Sequence, residues 1–341
     1  MWAAVDEITS APVGVEALRR HGLHLIAAHA RCARGEPLHP ELRREQQRAA
    51  ARALAAPVIL RRACDAFDGP FLLMKGPEIA ARYPQPTMRP YIDLDLLVDD
   101  PEGARAELLR AGFSEVGDPA RYAGAHHLRP LVWPELPLPI ELHRTINHPS
   151  WLRPPATAGL LACSQPSAIG VHGLRALPPG AHALVLALHG WAHEPLRRLL
   201  DLLDVAVALE GGRGRDPASE LARDWGVRRL WQTTLNAVDA LLYGRGDTFA
   251  LRVWARHLRQ LRERTVLEGH MARFAGPACG SPSHLPRALV AAAGAFTAAA
   301  GRKSEERRVD AARRTVYALA DAFLAQSRHE SARRSRRGRR L

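Results

Sequence analysis

From Val15 to about Phe67 apolar residues recur at helical spacing. Leu18, Leu23, Leu25 and Ile26 form one stripe, and Leu42 to Leu60 form a second that is rich in Ala and Arg. Gly35-Glu36-Pro37 and Pro40 separate the two. The period changes at Gly69-Pro70, where Phe71-Leu72-Leu73-Met74 makes a short unbroken apolar run of buried-strand type ending at Lys75-Gly76. Pro77 suits the first position of a short helix over Pro77 to Arg82, and Pro84, Pro86 and Pro90 keep the following stretch extended. Tyr91 to Val98 then predicts a strand, with Ile92, Leu94 and Leu96 alternating against Asp93 and Asp95. A helix follows over Pro101 to Ala111, closed by Gly112, and two further strands fall around His127 to Trp133 and Leu138 to His143. This alternation marks a small α/β unit over residues 69–150. After Pro178-Pro179 the helical period returns and runs to about Gln326. It predicts helices over Gly180 to His193, Leu196 to Leu209, Pro217 to Trp225 and Val227 to Leu242, with two or three more after Thr248.

The expected organisation is therefore an N-terminal helical segment (1–68), the α/β core (69–150), a mainly helical C-terminal domain (151–327) and an Arg-rich tail (328–341). At 341 residues and 47% hydrophobic content the chain can bury a large core without disulfides or a structural metal. Cys32, Cys64, Cys163 and Cys279 form no CxxC pair, which argues against a zinc ribbon and fits a reducing cytoplasm. Asp6 and Glu7 replace the basic start of a signal peptide, and Ala288 to Ala300 is too short for a bilayer span, so no membrane association is expected.

The net charge is +13, but the tail from Arg328 to Leu341 contributes six of those charges. That tail lacks apolar periodicity and reads as disordered and solvated, with weak nucleic-acid contact as the functional alternative. Only two of the 48 basic residues are lysines, Lys75 and Lys303. Lys differs from Arg in being a compact point charge that fits a phosphate oxygen in a tight space.

The chemistry concentrates in the core. Asp93 and Asp95 stand at i and i+2 of a strand, so their side chains share a face and repel each other unless a cation lies between them. Mg²⁺ held by carboxylates and substrate phosphates is one solution; two solvated acids on a strand edge is the other. The apolar continuation Leu96-Leu97-Val98 makes the strand a buried one, where unpaired acids are costly. Lys75-Gly76 joins a strand to a helix, a junction that offers backbone N–H groups to phosphate. Glu141, within Ile140-Glu141-Leu142-His143, adds a third acid on another strand. His189 and His193, four apart on one helix, could ligate a metal but read more simply as packed residues. Asp201 could face the cleft between sheet and helices, and His126 and His127 could face a nucleotide but read more simply as structural residues.

Taken together, Leu72-Leu73-Met74-Lys75-Gly76, Tyr83-Pro84, Arg89-Pro90, Asp93-Leu94-Asp95-Leu96-Leu97-Val98, Glu141-Leu142-His143 and His189…His193…Leu199…Asp201 resemble an uncharacterised bacterial nucleotidyltransferase family of the polymerase-beta superfamily. The resemblance covers about residues 15–210 and implies an α+β fold, with a small mixed sheet flanked by N-terminal helices and a C-terminal helical domain. It further implies transfer of a nucleotide from a nucleoside triphosphate, dependent on Mg²⁺ or Mn²⁺. Asp93 and Asp95 would hold both ions, Glu141 would complete the catalytic one, and Gly76 would let the backbone approach the triphosphate. Pro77 stands where the wider superfamily usually has Ser or Gly, so Lys75 and Arg89 are the candidates for the charge that meets the phosphates, with a structural ion pair as the equal alternative for each. The acceptor is left open among a small molecule, a protein and RNA. A non-catalytic nucleotide- or nucleic-acid-binding protein on the same fold is the alternative, and the absence of GxxxxGK[ST] or HRD motifs argues against a kinase.

Overall fold

The computed structural model describes residues 1–122, 125–149, 151–209 and 214–278. The Arg-rich tail and the helices expected beyond residue 278 lie outside them. Four helices open the chain: α1 (Trp2–Ser10), α2 (Val15–Arg20), α3 (His24–Ala33) and the long α4 (Pro40–Ala66). The core then runs β1 (Phe71–Leu73), α5 (Pro77–Ala80), β2 (Leu94–Leu97), α6 (Pro101–Arg110), β3 (Ser114–Glu115), β4 (Leu131–Trp133) and β5 (Leu136–His143). After α7 (Thr157–Ala162), the strands β6 (Gln165–Pro166) and β7 (Leu174–Ala176) complete the sheet. The remaining elements are helical: α8 (Pro179–His193), α9 (Leu199–Ala208), α10 (Arg215–Asp224), α11 (Arg228–Leu242), α12 (Phe249–Val253), α13 (Arg256–Gln260) and α14 (Val266–Ala278). None of the described helices is long and apolar enough to cross a membrane.

The seven strands form one mixed sheet in the order β3-β4-β5-β2-β1-β7-β6. Its centre pairs β2 with β5 in parallel and β2 with β1 in antiparallel, and β1 with β7 in parallel. The sheet thus takes in two strands from residues 165–176, past the expected core boundary at residue 150.

Strand alternation divides the core into two layers. Phe71, Leu73, Leu94, Leu96, Ile140 and Leu142 project to one face, where they pack with Ile59, Leu60 and Ala63 of α4 and Ala104 and Leu108 of α6. Leu72, Met74 and Leu97 project to the other, against Leu184, Leu188 and the rest of the helical bundle. Burying one such side chain is worth about 1.5–3 kcal/mol, so a one-residue slip that swapped the faces would be heavily penalised. The same alternation fixes the acids. If Leu94, Leu96, Ile140 and Leu142 face α4, then Asp95, Glu141 and His143 must face the helical bundle.

Two expected strands come out shorter than their patterns. Tyr91 to Val98 contracts to β2: β1 ends at Leu73, opposite Leu96, and on the β5 side the position in register with Asp93 is Pro139, which has no N–H. His127 to Trp133 contracts to β4 plus an isolated bridge between His127 and His143. Pro130, which has no N–H, lies between those two pieces.

Candidate active site

The parallel register sets Asp95 directly opposite Glu141, and Leu97 opposite His143. Asp95, Glu141 and His143 offer ligand atoms that all lie within 4.8 Å of one another. Asp93 sits just outside the strand, with its side chain 24% exposed, while Asp95 beside it is 1% exposed.

Lys75, the residue after Met74, reaches into the same space. Its Nζ is 3.2 Å from Asp95 Oδ2, 3.9 Å from Asp93 Oδ1 and 3.4 Å from His189 Nε2. On its other side Asp95 Oδ1 accepts a hydrogen bond of 3.0 Å from His143 Nε2. Despite the nearby ammonium, Asp95 Oδ2 is buried without a hydrogen bond.

These contacts drive the two aspartates apart in acidity. Burial, followed by the charges of Asp95 and Glu141, raises the Asp93 carboxyl above its ordinary range, against the pull of Lys75. Burial would raise Asp95 as well, but Lys75 and His143 more than offset it and hold Asp95 ionised well below that range. Burial also keeps His189 neutral, reinforced by the Lys75 charge.

Asp93 and Lys75 open onto a cleft of about 360 Å³ between the sheet and the helices, whose walls include Tyr91, His189, Arg198 and Asp201. Arg89 also lines it, but its guanidinium is engaged by Asp204 of α9, Nε to Oδ1 at 3.0 Å and Nη2 to Oδ2 at 2.8 Å. Tyr83 Oη donates to the same Asp204 Oδ1 at 2.6 Å. This buried knot ties the segment before Asp93 to the helical bundle. Arg198 is likewise paired with Asp201 at 2.6 Å.

Gly76 has φ +65° and ψ −125°, a conformation that favours glycine. A Cβ there would meet the Asp93 carbonyl at 3.4 Å and the Tyr91 ring at 3.9 Å. Those are ordinary contacts, so it is the positive φ of the turn after Lys75, and not lack of room, that calls for glycine. The helix it opens, α5, is a single turn of four residues.

A model of a family described as uncharacterised nucleotidyltransferase matches residues 14–242, about two thirds of the chain. The chain belongs to this nucleotidyltransferase family. No curated protein and no solved structure matches it.

In this member of the family the structure brings Asp93, Asp95, Glu141 and Lys75 together, and sets Arg89 in the cleft wall and Gly76 in the turn that follows Lys75. It also brings in residues that sequence reading undervalued. His189 and His193 both line the cleft. His143 holds Asp95, and His127 Nε2 lies 3.7 Å from Glu141 Oε2. The signal for His143 was present, since it stands at i+2 from Glu141 on the same strand face.

Proposed function

We propose that this protein is a metal-dependent nucleotidyltransferase that moves a nucleoside monophosphate from a nucleoside triphosphate to an acceptor hydroxyl and releases pyrophosphate. The observation that supports it most is the pairing of Asp95 with Glu141 on adjacent parallel strands, beside Asp93, which lines the open cleft together with Lys75. The donors suit a divalent ion. Hard carboxylate oxygens crowd together, and Asp95 Oδ2 is buried with no hydrogen bond to satisfy it. When bound, Mg²⁺ or Mn²⁺ would neutralise phosphate oxygens and stabilise charge on the leaving pyrophosphate.

In this reading Asp93, Asp95 and Glu141 hold the ions. Lys75 supplies a compact positive charge to the phosphates from the lip of the cleft. Gly76 gives the turn that aims it, and Arg89, its charge balanced by Asp204, keeps residues 89–93 in place. His143 orients Asp95 by its Nε2–H, leaving Oδ2 on the side of Lys75. The rate gain would come from positioning and electrostatics, as in phosphoryl transfer generally. The three described cysteines are free thiols, which supports a reducing cytoplasm.

The test uses triphosphates labelled at the α- or γ-phosphate, offered with small-molecule, protein and RNA acceptors. Nucleotidyl transfer puts the α-label in the product with release of pyrophosphate, and Asp93→Asn abolishes it. Transfer of the γ-label instead would mean kinase action and would overturn the reading.

A further inference from the structure

Glu141 has two flanks, and only one faces Asp93 and Lys75. On the other stand His143 and His127, joined by an antiparallel bridge with their ring centroids 5.1 Å apart. His127 Nε2 and His143 Nε2 each lie 3.7 Å from Glu141 Oε2, and His143 Nε2 is 3.0 Å from Asp95 Oδ1. The donor atoms of Asp95, Glu141 and His143 all lie within 4.8 Å of one another, and His127 Nε2 joins the group from the Glu141 side, with the three successive contacts at 3.0–3.7 Å. Metal–ligand bonds of about 2.0–2.2 Å give ligand–ligand edges of about 3.0 Å in octahedral and about 3.4 Å in tetrahedral coordination.

The tautomer of His127 sharpens this. Its Nδ1 lies 2.8 Å from the carbonyl oxygen of Leu128, a contact that only an Nδ1–H donor can make. In the neutral ring Nε2 is then a bare lone pair facing a carboxylate oxygen at 3.7 Å, two acceptors that call for a cation between them. A backbone carbonyl holding the far ring nitrogen is also how metal-bound histidines are commonly oriented. At its neighbour, 2% exposed, the His143 Nδ1 is buried and has no hydrogen-bond partner.

We infer that His127, Glu141 and His143, with Asp95 Oδ1, form a binding site for a first-row transition-metal ion such as Zn²⁺, Co²⁺ or Mn²⁺, filled without nucleotide. Two imidazole nitrogens favour such ions over Mg²⁺, which prefers oxygen and water. On binding, the ion takes the place of the His143 Nε2 proton, which moves to Nδ1. Asp95 then bridges two positions, with Oδ1 on the histidine side and Oδ2 on the Lys75 side. This goes beyond nucleotidyl transfer, because the ion is held whether or not a triphosphate binds.

Co²⁺ is the probe. Titrated into the nucleotide-free, metal-stripped full chain, it should bind at one equivalent with visible absorption of nitrogen-ligated cobalt. Zn²⁺ should displace it, and a large excess of Mg²⁺ should not. His127→Asn, at a residue whose side chain is 14% exposed, should weaken Co²⁺ binding about tenfold or more. His143→Ala should do the same if it folds, and His127→Asn keeps the question answerable if it does not. Absence of Co²⁺ binding without nucleotide, displacement by Mg²⁺, or an affinity indifferent to His127→Asn would overturn the inference. The outcomes separate from those of the transfer reading: cobalt binding without any triphosphate binding leaves this site standing and removes that function, and the converse removes only this site.

Discussion

Lys75→Met removes the ammonium from between two acids while preserving much of the side-chain volume. In the metal-free protein that ammonium is 3.2 Å from Asp95 Oδ2 and 3.9 Å from Asp93 Oδ1, with the Lys75 side chain 19% exposed. At an effective dielectric near 20, charges at about 4 Å interact by about 4 kcal/mol, and stripping one partner from a buried pair costs about 3–5 kcal/mol. Proton uptake limits the damage, because Asp93 is already raised in pKa and rises further once Lys75 is gone. A carboxyl whose folded pKa is raised favours folding at low pH and loses that advantage as the pH rises through the folded pKa. The variant should therefore unfold about 3 kcal/mol more easily than the parent at pH 8 with chelator present, and the deficit should shrink toward pH 5. A divalent ion can replace the missing charge, so Mn²⁺ should restore more stability to Lys75→Met than it adds to the parent. Denaturant unfolding of both proteins, with chelator and with Mn²⁺, measures all of this. An equal deficit in both conditions would refute the reasoning, since Lys75 and the ion would then not share the aspartates.

Asp204→Ala strands the Arg89 guanidinium and frees the Tyr83 hydroxyl, so denaturant unfolding should show a loss of about 3–5 kcal/mol. Tyr83→Phe should lose only about 1.5–3 kcal/mol in the same assay, because it removes one hydrogen bond to a charged group. His182, whose ring nitrogen lies 2.6 Å from the Met74 carbonyl, is depressed to about 3 by burial and then by the Arg82 charge. The unfolded chain binds that proton first, so this contribution is complete above about pH 6.5 and fades as the pH falls toward 3. Its upper bound is about 5 kcal/mol, and His182→Gln should flatten the acid limb of the stability profile measured from pH 7 to 4.

Much of the architecture was legible because it rests on local period. The stripes in 180–193 and 227–242 became α8 and α11 with ends moved by a residue, and Phe71-Leu72-Leu73 became β1. The parity of Asp93, Asp95 and Glu141 was readable from their apolar neighbours. What stayed hidden depends on partners distant along the chain. Arg89 and Asp204 are 115 positions apart, so the sequence leaves an ion pair open for Arg89 but cannot name the partner that the structure shows. Lys75 and His189 meet across 114 positions. β3 and β6 have two residues each, too few for alternation to register, and they exist because neighbouring strands offer ladder partners. His127 was visible as a residue but not as a neighbour of Glu141, because its approach depends on the bridge to His143.

The central claim is that these carboxylates hold ions for a nucleoside triphosphate. Calorimetric titration of NTP into the parent and Asp95→Asn, each with and without Mg²⁺, tests it most directly. The account predicts binding in the parent that depends on Mg²⁺ and falls steeply in Asp95→Asn, with the variant still folded by circular dichroism. Triphosphate binding indifferent both to Mg²⁺ and to Asp95 would contradict it.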